Sequence, residues 1–224
     1  MITLGILTRN RPEELQTCIV SSLDTAAEPD DLLIVLLFGD DMVGYKTHPH
    51  HPQIRRFLST PRMFYYSDLR LLYQHMHEVG DLDLFVIAND DCEFMVGGWD
   101  KIAEEQLYEN FDDGMGVVSF WQHPFHTFMS RAKLFDEQYD GILAPEDYVF
   151  YFGDSERHAD LVERNQWVQS DIPLVKHPMD AVHSDPTRYP FCWFERDKHV
   201  YDGRMAQKRY VKGLENRLND PFTP

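Results

Sequence analysis

Cysteine is scarce in this 224-residue chain: Cys18, Cys92 and Cys192 are the whole set, far apart and in no Cys-x-x-Cys pair. An odd, scattered set excludes a disulfide scaffold and a zinc site of paired cysteines. Long apolar runs are missing as well, and none approaches the roughly 20 residues of a membrane-spanning helix. The opening segment Met1 to Thr8 is apolar, but it lacks the basic start and the length of a secretory signal. The expectation is a soluble protein of a reducing cytoplasm that engages no membrane. Gly5 is the one glycine before Gly39, and no Gly-x-Gly-x-x-Gly occurs. That argues against a nicotinamide dehydrogenase. It argues equally against a sugar nucleotidyltransferase, which needs a glycine-rich phosphate loop with Arg and Lys after its first strand.

Positive charge is the other deficit. There are 21 Lys and Arg against 38 Asp and Glu, a net charge of −17. So negative a field repels a phosphate backbone, which excludes a general nucleic-acid coat or a binder of anionic membranes. The charge is unevenly placed. Residues 186–224 hold eight basic and five acidic side chains, for +3, and the first 185 residues carry −20. Apolar residues at 43% and aromatics at 13% are enough for a well-filled core at this length.

Ile2 to Leu7 and Leu32 to Phe38 are short continuous apolar runs, the pattern of strands covered on both faces of a parallel sheet. Between them, Asn10-Arg11-Pro12-Glu13 reads as a helix start. Asn10 is placed to cap, Pro12 fits the first turn and Glu13 can return a hydrogen bond. Leu15, Ile19 and Leu23 follow at helical spacing. Strand, helix, strand is the opening of a βαβ sheet. The later pattern predicts a short strand at 54–58, a helix at 61–79 and a third buried strand at 83–88. It then predicts a helix at 99–107, strands at 116–121 and 127–129, a helix at 154–165, a strand at 172–175 and a basic helix at 203–218. With no linker in sight, the chain divides into one α/β domain at 1–185 and a basic extension at 186–224, packed on or near the site.

Open α/β sheets bind ligands at the carboxyl ends of their strands. Polar residues stand at three such ends: Thr8-Arg9-Asn10-Arg11, Gly39-Asp40-Asp41 and Asn89-Asp90-Asp91-Cys92-Glu93. Carboxylates crowded within five positions repel one another unless a cation sits among them. Oxygen ligands select a hard ion, Mg²⁺ or Mn²⁺, which commonly bridges phosphates. The plainer alternative is a solvated acidic turn.

Several of these segments resemble the family-two-like glycosyltransferases of the GT-A fold, in the small bacterial or phage form. Thr8-Arg9-Asn10-Arg11-Pro12 with Leu15, Cys18 and Ser21-Ser22-Leu23 resembles their opening strand and helix. Asp40 stands at their second-strand aspartate, Phe85 to Phe94 resembles their DxD region, and Gly98-Trp99-Asp100 the motif that follows it. The resemblance runs in order from Met1 to about Arg188. It implies a mostly parallel central sheet with helices on both faces and a C-terminal helical extension. It also implies a nucleoside-diphosphate sugar as donor and Mn²⁺ or Mg²⁺ as cofactor. Asp91, Glu93 and a late histidine, His177 or His183, would hold the metal, with His183 slightly favoured. Thr8, Arg9, Arg11, Asp40 and Asp90 would meet the nucleotide or diphosphate. Asp154 would be the catalytic base with Glu156 as support or second candidate, although Gly153 stands where the family commonly has Glu. A carboxylate at the start of a helix can equally be a simple cap.

The expected reaction is metal-dependent transfer of a hexosyl or pentosyl group to an acceptor hydroxyl, with inversion. The acceptor is left open among a glycan, a protein, a small molecule and a hydroxymethylated DNA base. The setting would be the cytoplasm of a bacterium or of a virus-infected host cell. The rivals are a non-catalytic nucleotide-sugar-binding module on the same fold and the nucleotidyltransferase already disfavoured.

Overall fold

The computed structural model describes residues 1–9, 11–39, 52–58, 65–120, 126–145, 147–148, 152–177 and 192–218, the last helix with side chains only over 194–208. Nine strands are present among them: β1 (Ile2–Thr8), β2 (Leu32–Phe38), β3 (Ile54–Leu58), β4 (Leu84–Asn89), β5 (Glu93–Phe94), β6 (Val117–Ser119), β7 (Thr127–Arg131), β8 (Trp167–Gln169) and β9 (Val175–Lys176). Six α-helices accompany them: α1 (Pro12–Thr25), α2 (Tyr65–Glu78), α3 (Trp99–Asn110), α4 (Ala132–Tyr139), α5 (Gly153–Glu163) and α6 (Cys192–Leu218). Seven strands form one sheet in the order β3-β2-β1-β4-β7-β6-β8, and β5 pairs with β9 in a second. β3, β2, β1 and β4 run parallel, whereas β7 is antiparallel to both β4 and β6.

Period two explains the unbroken apolar runs. Ile34, Leu36 and Phe38 of β2 join α1 and α3 on one face. Leu33, Val35 and Leu37 join α2, α4 and α5 on the other. Both faces are covered, so every second residue must be apolar on each side. Among the described residues no helix is long and apolar enough to cross a membrane.

The expected cap at Asn10 is not what starts α1. The cap position is Arg11, with no side-chain capping bond, and Pro12 opens the helix. Proline suits that place because its missing N–H is one that a first turn leaves unpaired anyway. Gly98-Trp99-Asp100 is a scaffold. Gly98 adopts φ 77, a left-handed conformation that glycine takes without strain. The buried Trp99 indole donates to Ser22 O at 2.9 Å, and Asp100 accepts from the Ala27 and Glu28 amides at 2.7 and 3.2 Å. These bonds lock α3 against the end of α1.

Candidate functional site

β1, β2 and β4 end level with one another. Thr8 is registered with Phe38 and Leu7 with Asn89, so the segments that start at Thr8, Gly39 and Asn89 share one sheet edge. Asp40, assigned by resemblance to the nucleotide, lies outside the described residues. Thr8 Oγ1 donates to Asp90 Oδ2 at 2.8 Å. Arg11 Nη1 donates to Asp90 Oδ1 at 3.0 Å and to Asp91 Oδ2 at 2.6 Å. Arg9 turns the other way, and its Nε and Nη2 both donate to Gly39 O at 3.1 Å.

The two neighbouring aspartates differ in acidity. Burial pushes Asp90 up to about 6, with Arg11 pulling it down and Asp91 pushing it up. Burial also acts to raise Asp91, but the hydrogen bond and charge of His177, followed by Arg11, hold it below the usual carboxylate value. His177 arrives through the small sheet. Glu93 is registered with Lys176 and Phe94 with Val175, which brings the residue after Lys176 back beside Asp91. His177 Nε2 stands 2.9 Å from Asp91 Oδ1, and its side chain is 3% exposed. His183, the other candidate, lies outside the described residues.

Ligand atoms of Asp91, Cys92 and His177 lie within 4.8 Å of one another. Glu93 is not part of that cluster; its carboxylate is half exposed and 4.0 Å from Lys176 Nζ across the ladder. Cys92 was not anticipated. Its sulfur is 3.0 Å from Thr127 Oγ1, and burial pushes the thiol up to about 12. A soft sulfur suits a hard divalent ion less well than oxygen and nitrogen donors do. The donors that suit a divalent ion are therefore a carboxylate oxygen and an imidazole nitrogen, a pair that favours Mn²⁺ over Mg²⁺.

The segment with Asp154 is tied to the same edge by two adjacent tyrosines at the start of α2. Tyr65 OH donates to Asn89 Oδ1 at 3.2 Å, and Tyr66 OH donates to Asp154 Oδ1 at 3.1 Å. Tyr66 OH also accepts from the Gly153 and Asp154 amides at 3.1 and 3.3 Å. Burial lifts this hydroxyl well above its usual pKa, so it stays a donor. Asp154 Oδ1 further accepts from the Ser155 amide at 2.8 Å. The residue before the helix, Phe152, is left-handed at φ 69, and its ring lies 5.2 Å from Tyr201 and 5.3 Å from Phe194 of α6. An aromatic residue in that region is strained by roughly 1–2 kcal/mol, and the packing of α6 holds it there.

Gly153 has a packing reason. A Cβ there would lie 2.7, 2.8 and 2.9 Å from ring atoms of Tyr66. Gly153→Ala is expected to destabilise the protein by about 1–3 kcal/mol, the usual range for overpacking. Thermal melts check this against Gly203→Ala in α6, where a Cβ meets nothing within 4 Å; the control should melt no lower than wild type.

Glu156 is buried and fully engaged. Tyr148 OH donates to Oε2 at 2.5 Å, Arg204 donates through Nε at 2.7 Å and Nη2 at 3.0 Å, and Lys208 Nζ lies 2.9 Å from Oε1. Burial opposes the charge, yet the hydrogen bonds from Arg204, Tyr148 and Lys208 prevail and lower the carboxyl from 4.5 to about 2. A group depressed on folding contributes stability above its unfolded pKa and loses it as pH falls through the folded one. Wild type should lose stability from this group between pH 4.5 and about 2. Urea titrations at several pH values should show that component missing from Glu156→Gln.

No family model matches the chain, and no curated protein matches it in sequence. Solved structures do match. A mannosyltransferase from Pyrobaculum calidifontis, in complex with GDP-Man and Mn²⁺, aligns over 100% of this chain with a TM-score of 0.63 and 15% identity. TarS of S. aureus aligns over 78% of the chain with a TM-score of 0.58 and 10% identity. The fold is that of GT-A-type glycosyltransferases. The chain spans 65% of the mannosyltransferase structure and 36% of the TarS one. Asp90 and Asp91 stand at the carboxyl edge of β1, β2 and β4, with His177 brought beside them by the small sheet, and open α/β sheets generally bind ligands at that edge.

Sequence reasoning passed over Tyr65, Tyr66 and Asp68. Asp68 is 3% exposed on α2, and its Oδ2 would lie 3.6 Å from a Cβ at Gly39, beside Arg9 Nε. One signal was present: Asp68, Leu72 and Met76 share one helical stripe, and an acid on an apolar stripe is out of place without a partner.

Proposed function

We propose that the chain is a metal-dependent, inverting glycosyltransferase that takes a sugar from a nucleoside-diphosphate donor and passes it to an acceptor hydroxyl. The observation that carries this reading is one connected edge. Asp91 with His177, Arg11 and Thr8 stands at the ends of β1 and β4, and the Tyr65–Tyr66 pair joins it to Asp154.

Asp91 and His177 would hold the divalent cation, with the donor diphosphate and water completing its shell. When bound, that ion neutralises charge developing on the leaving diphosphate. Thr8, Arg9, Arg11 and Asp90 would face the donor, and Asp40 is assigned to it by resemblance alone. Asp154 takes the acceptor proton as the hydroxyl oxygen bonds to the anomeric carbon. The bond from that carbon to the diphosphate oxygen breaks, and its electron pair leaves with the nucleoside diphosphate. Tyr66 and the Ser155 amide occupy Oδ1 of Asp154, so Oδ2 is the oxygen offered to the acceptor. Glu156 carries three cationic or hydroxyl donors and is strongly acidic, which makes it an anchor for α6 rather than a second base.

The described side chains of the extension, residues 194–208, favour an acceptor other than DNA. Arg196, Lys198, Arg204 and Lys208 are all in ion pairs with carboxylates of this chain. Their charge is neutralised before any phosphate backbone arrives. A thermal-shift panel of nucleotide sugars with and without Mn²⁺ tests the reading. One donor should raise the melting temperature in the presence of Mn²⁺; a panel in which none does removes the catalytic reading and leaves a different ligand to be found.

A further inference from the structure

Arg11 occupies a position that a donor-side residue need not take. Its Nη1 bridges Asp90 Oδ1 at 3.0 Å and Asp91 Oδ2 at 2.6 Å. The guanidinium side chain is 14% exposed and the two carboxylates 7% and 6%. The other oxygen of Asp91 is 2.9 Å from His177 Nε2. Arg11 thus occupies Oδ2 of the carboxylate assigned to the metal, and the His177 ring stands against Oδ1 without an aligned hydrogen bond. Buried carboxylates need a counter-charge, since an unpaired buried ion is strongly destabilising. Arg11 is the residue that supplies it to both.

We infer that Arg11 is an exchangeable counter-ion, which neutralises Asp90 and Asp91 until a divalent cation takes its place and frees the guanidinium for the donor diphosphate. This rests on the metal reading given under Proposed function. Two charge-assisted hydrogen bonds must break when the cation enters alone, so the metal by itself binds weakly. A diphosphate gives the displaced guanidinium a new bidentate partner. Cation and nucleotide therefore bind cooperatively, and by linkage each tightens the other equally. Arginine suits this exchange because its fork matches a carboxylate pair and a diphosphate alike.

Isothermal titration of the full chain with Mn²⁺, alone and with saturating GDP or UDP, tests the exchange in wild type, Arg11→Met, Arg11→Lys and Asp91→Ala. Arg11→Met should bind Mn²⁺ alone at least about tenfold more tightly than wild type, the scale of one charge-assisted hydrogen bond. The gain in Mn²⁺ affinity on adding nucleotide should be about tenfold or more in wild type and close to none in Arg11→Met. If Arg11→Met does not fold without metal, Arg11→Lys carries the test; its point charge should hold the carboxylates less well and give an intermediate Mn²⁺ affinity. Equal or weaker Mn²⁺ binding in the folded Arg11 variant, with wild-type binding that Asp91→Ala abolishes, overturns the exchange and leaves the metal site standing. Absence of Mn²⁺ binding in every protein overturns both.

Discussion

Asp154→Asn is expected to lower turnover by about 10²-fold or more while leaving donor binding unchanged. The size is that of general-base catalysis by one positioned side chain. The substitution keeps the shape of the side chain and its Oδ1, so the bonds from Tyr66 OH and the Ser155 amide persist. Oδ2 becomes an amide that cannot take a proton. Loss of a negative charge at the first turn of α5 should cost only about 0.3–1 kcal/mol of stability, too little to unfold a domain with a core on both sheet faces. Turnover is read as nucleoside diphosphate released, and binding as the thermal shift given by the donor. Wild-type turnover in Asp154→Asn would move the base elsewhere, and Glu156 is a poor replacement because Arg204 and Lys208 already neutralise it.

Asp91→Ala is expected to abolish Mn²⁺-dependent donor binding altogether. The carboxylate is the junction of the site, in contact with Arg11 through one oxygen and His177 through the other. Its removal deletes the oxygen ligand and leaves the His177 imidazole without its carboxylate partner at the cation. Arg11 keeps Asp90 as a partner, so the sheet edge should stay folded. Thermal shifts with nucleotide sugar and Mn²⁺ should then match those without Mn²⁺. A metal-dependent shift that survives in Asp91→Ala would take Asp91 out of the metal site.

β1, β2 and β4 were legible in the sequence because each is buried on both faces, and double burial writes an unbroken apolar run. α1 was legible for its stripe of Leu15, Ile19 and Leu23, and helices were expected where α2 and α3 stand, though α3 runs to Asn110, beyond the expected end at 107. α4 escaped notice. It follows β7 directly at Ala132, with no turn residue to mark the change of period, and it is only eight residues long. β8 has three residues at the sheet edge, too few for any periodicity to register. The tail helix was expected from 203 but begins at Cys192, where Arg196, Phe194 and Tyr201 fasten it near α5.

The site divides along the same physical line. Thr8, Arg11, Asp90 and Asp91 are local to strand ends, and strand ends can be read from apolar runs. The preference for His183 over His177 could not be settled that way. The pairing that brings His177 to Asp91 is a ladder of two residues on each side, and such a ladder leaves no pattern in the chain. Glu93 looked like a third acidic ligand by proximity in sequence, yet it enters that ladder and meets Lys176 instead. The link from Tyr66 to Asp154 spans 88 positions and depends on two helices packed on the same face. The glycine at 153 looked like a flaw in an acidic motif; it is the space that the Tyr66 ring fills.

The most direct test of glycosyl transfer is the release of nucleoside diphosphate from nucleotide sugars, followed with and without Mn²⁺ in wild type, Asp91→Ala and Asp154→Asn. Release from one donor that requires Mn²⁺, vanishes in Asp91→Ala and falls about 10²-fold or more in Asp154→Asn is the expected result. Release that is indifferent to Mn²⁺ and to both substitutions, or no release from any donor, would contradict it.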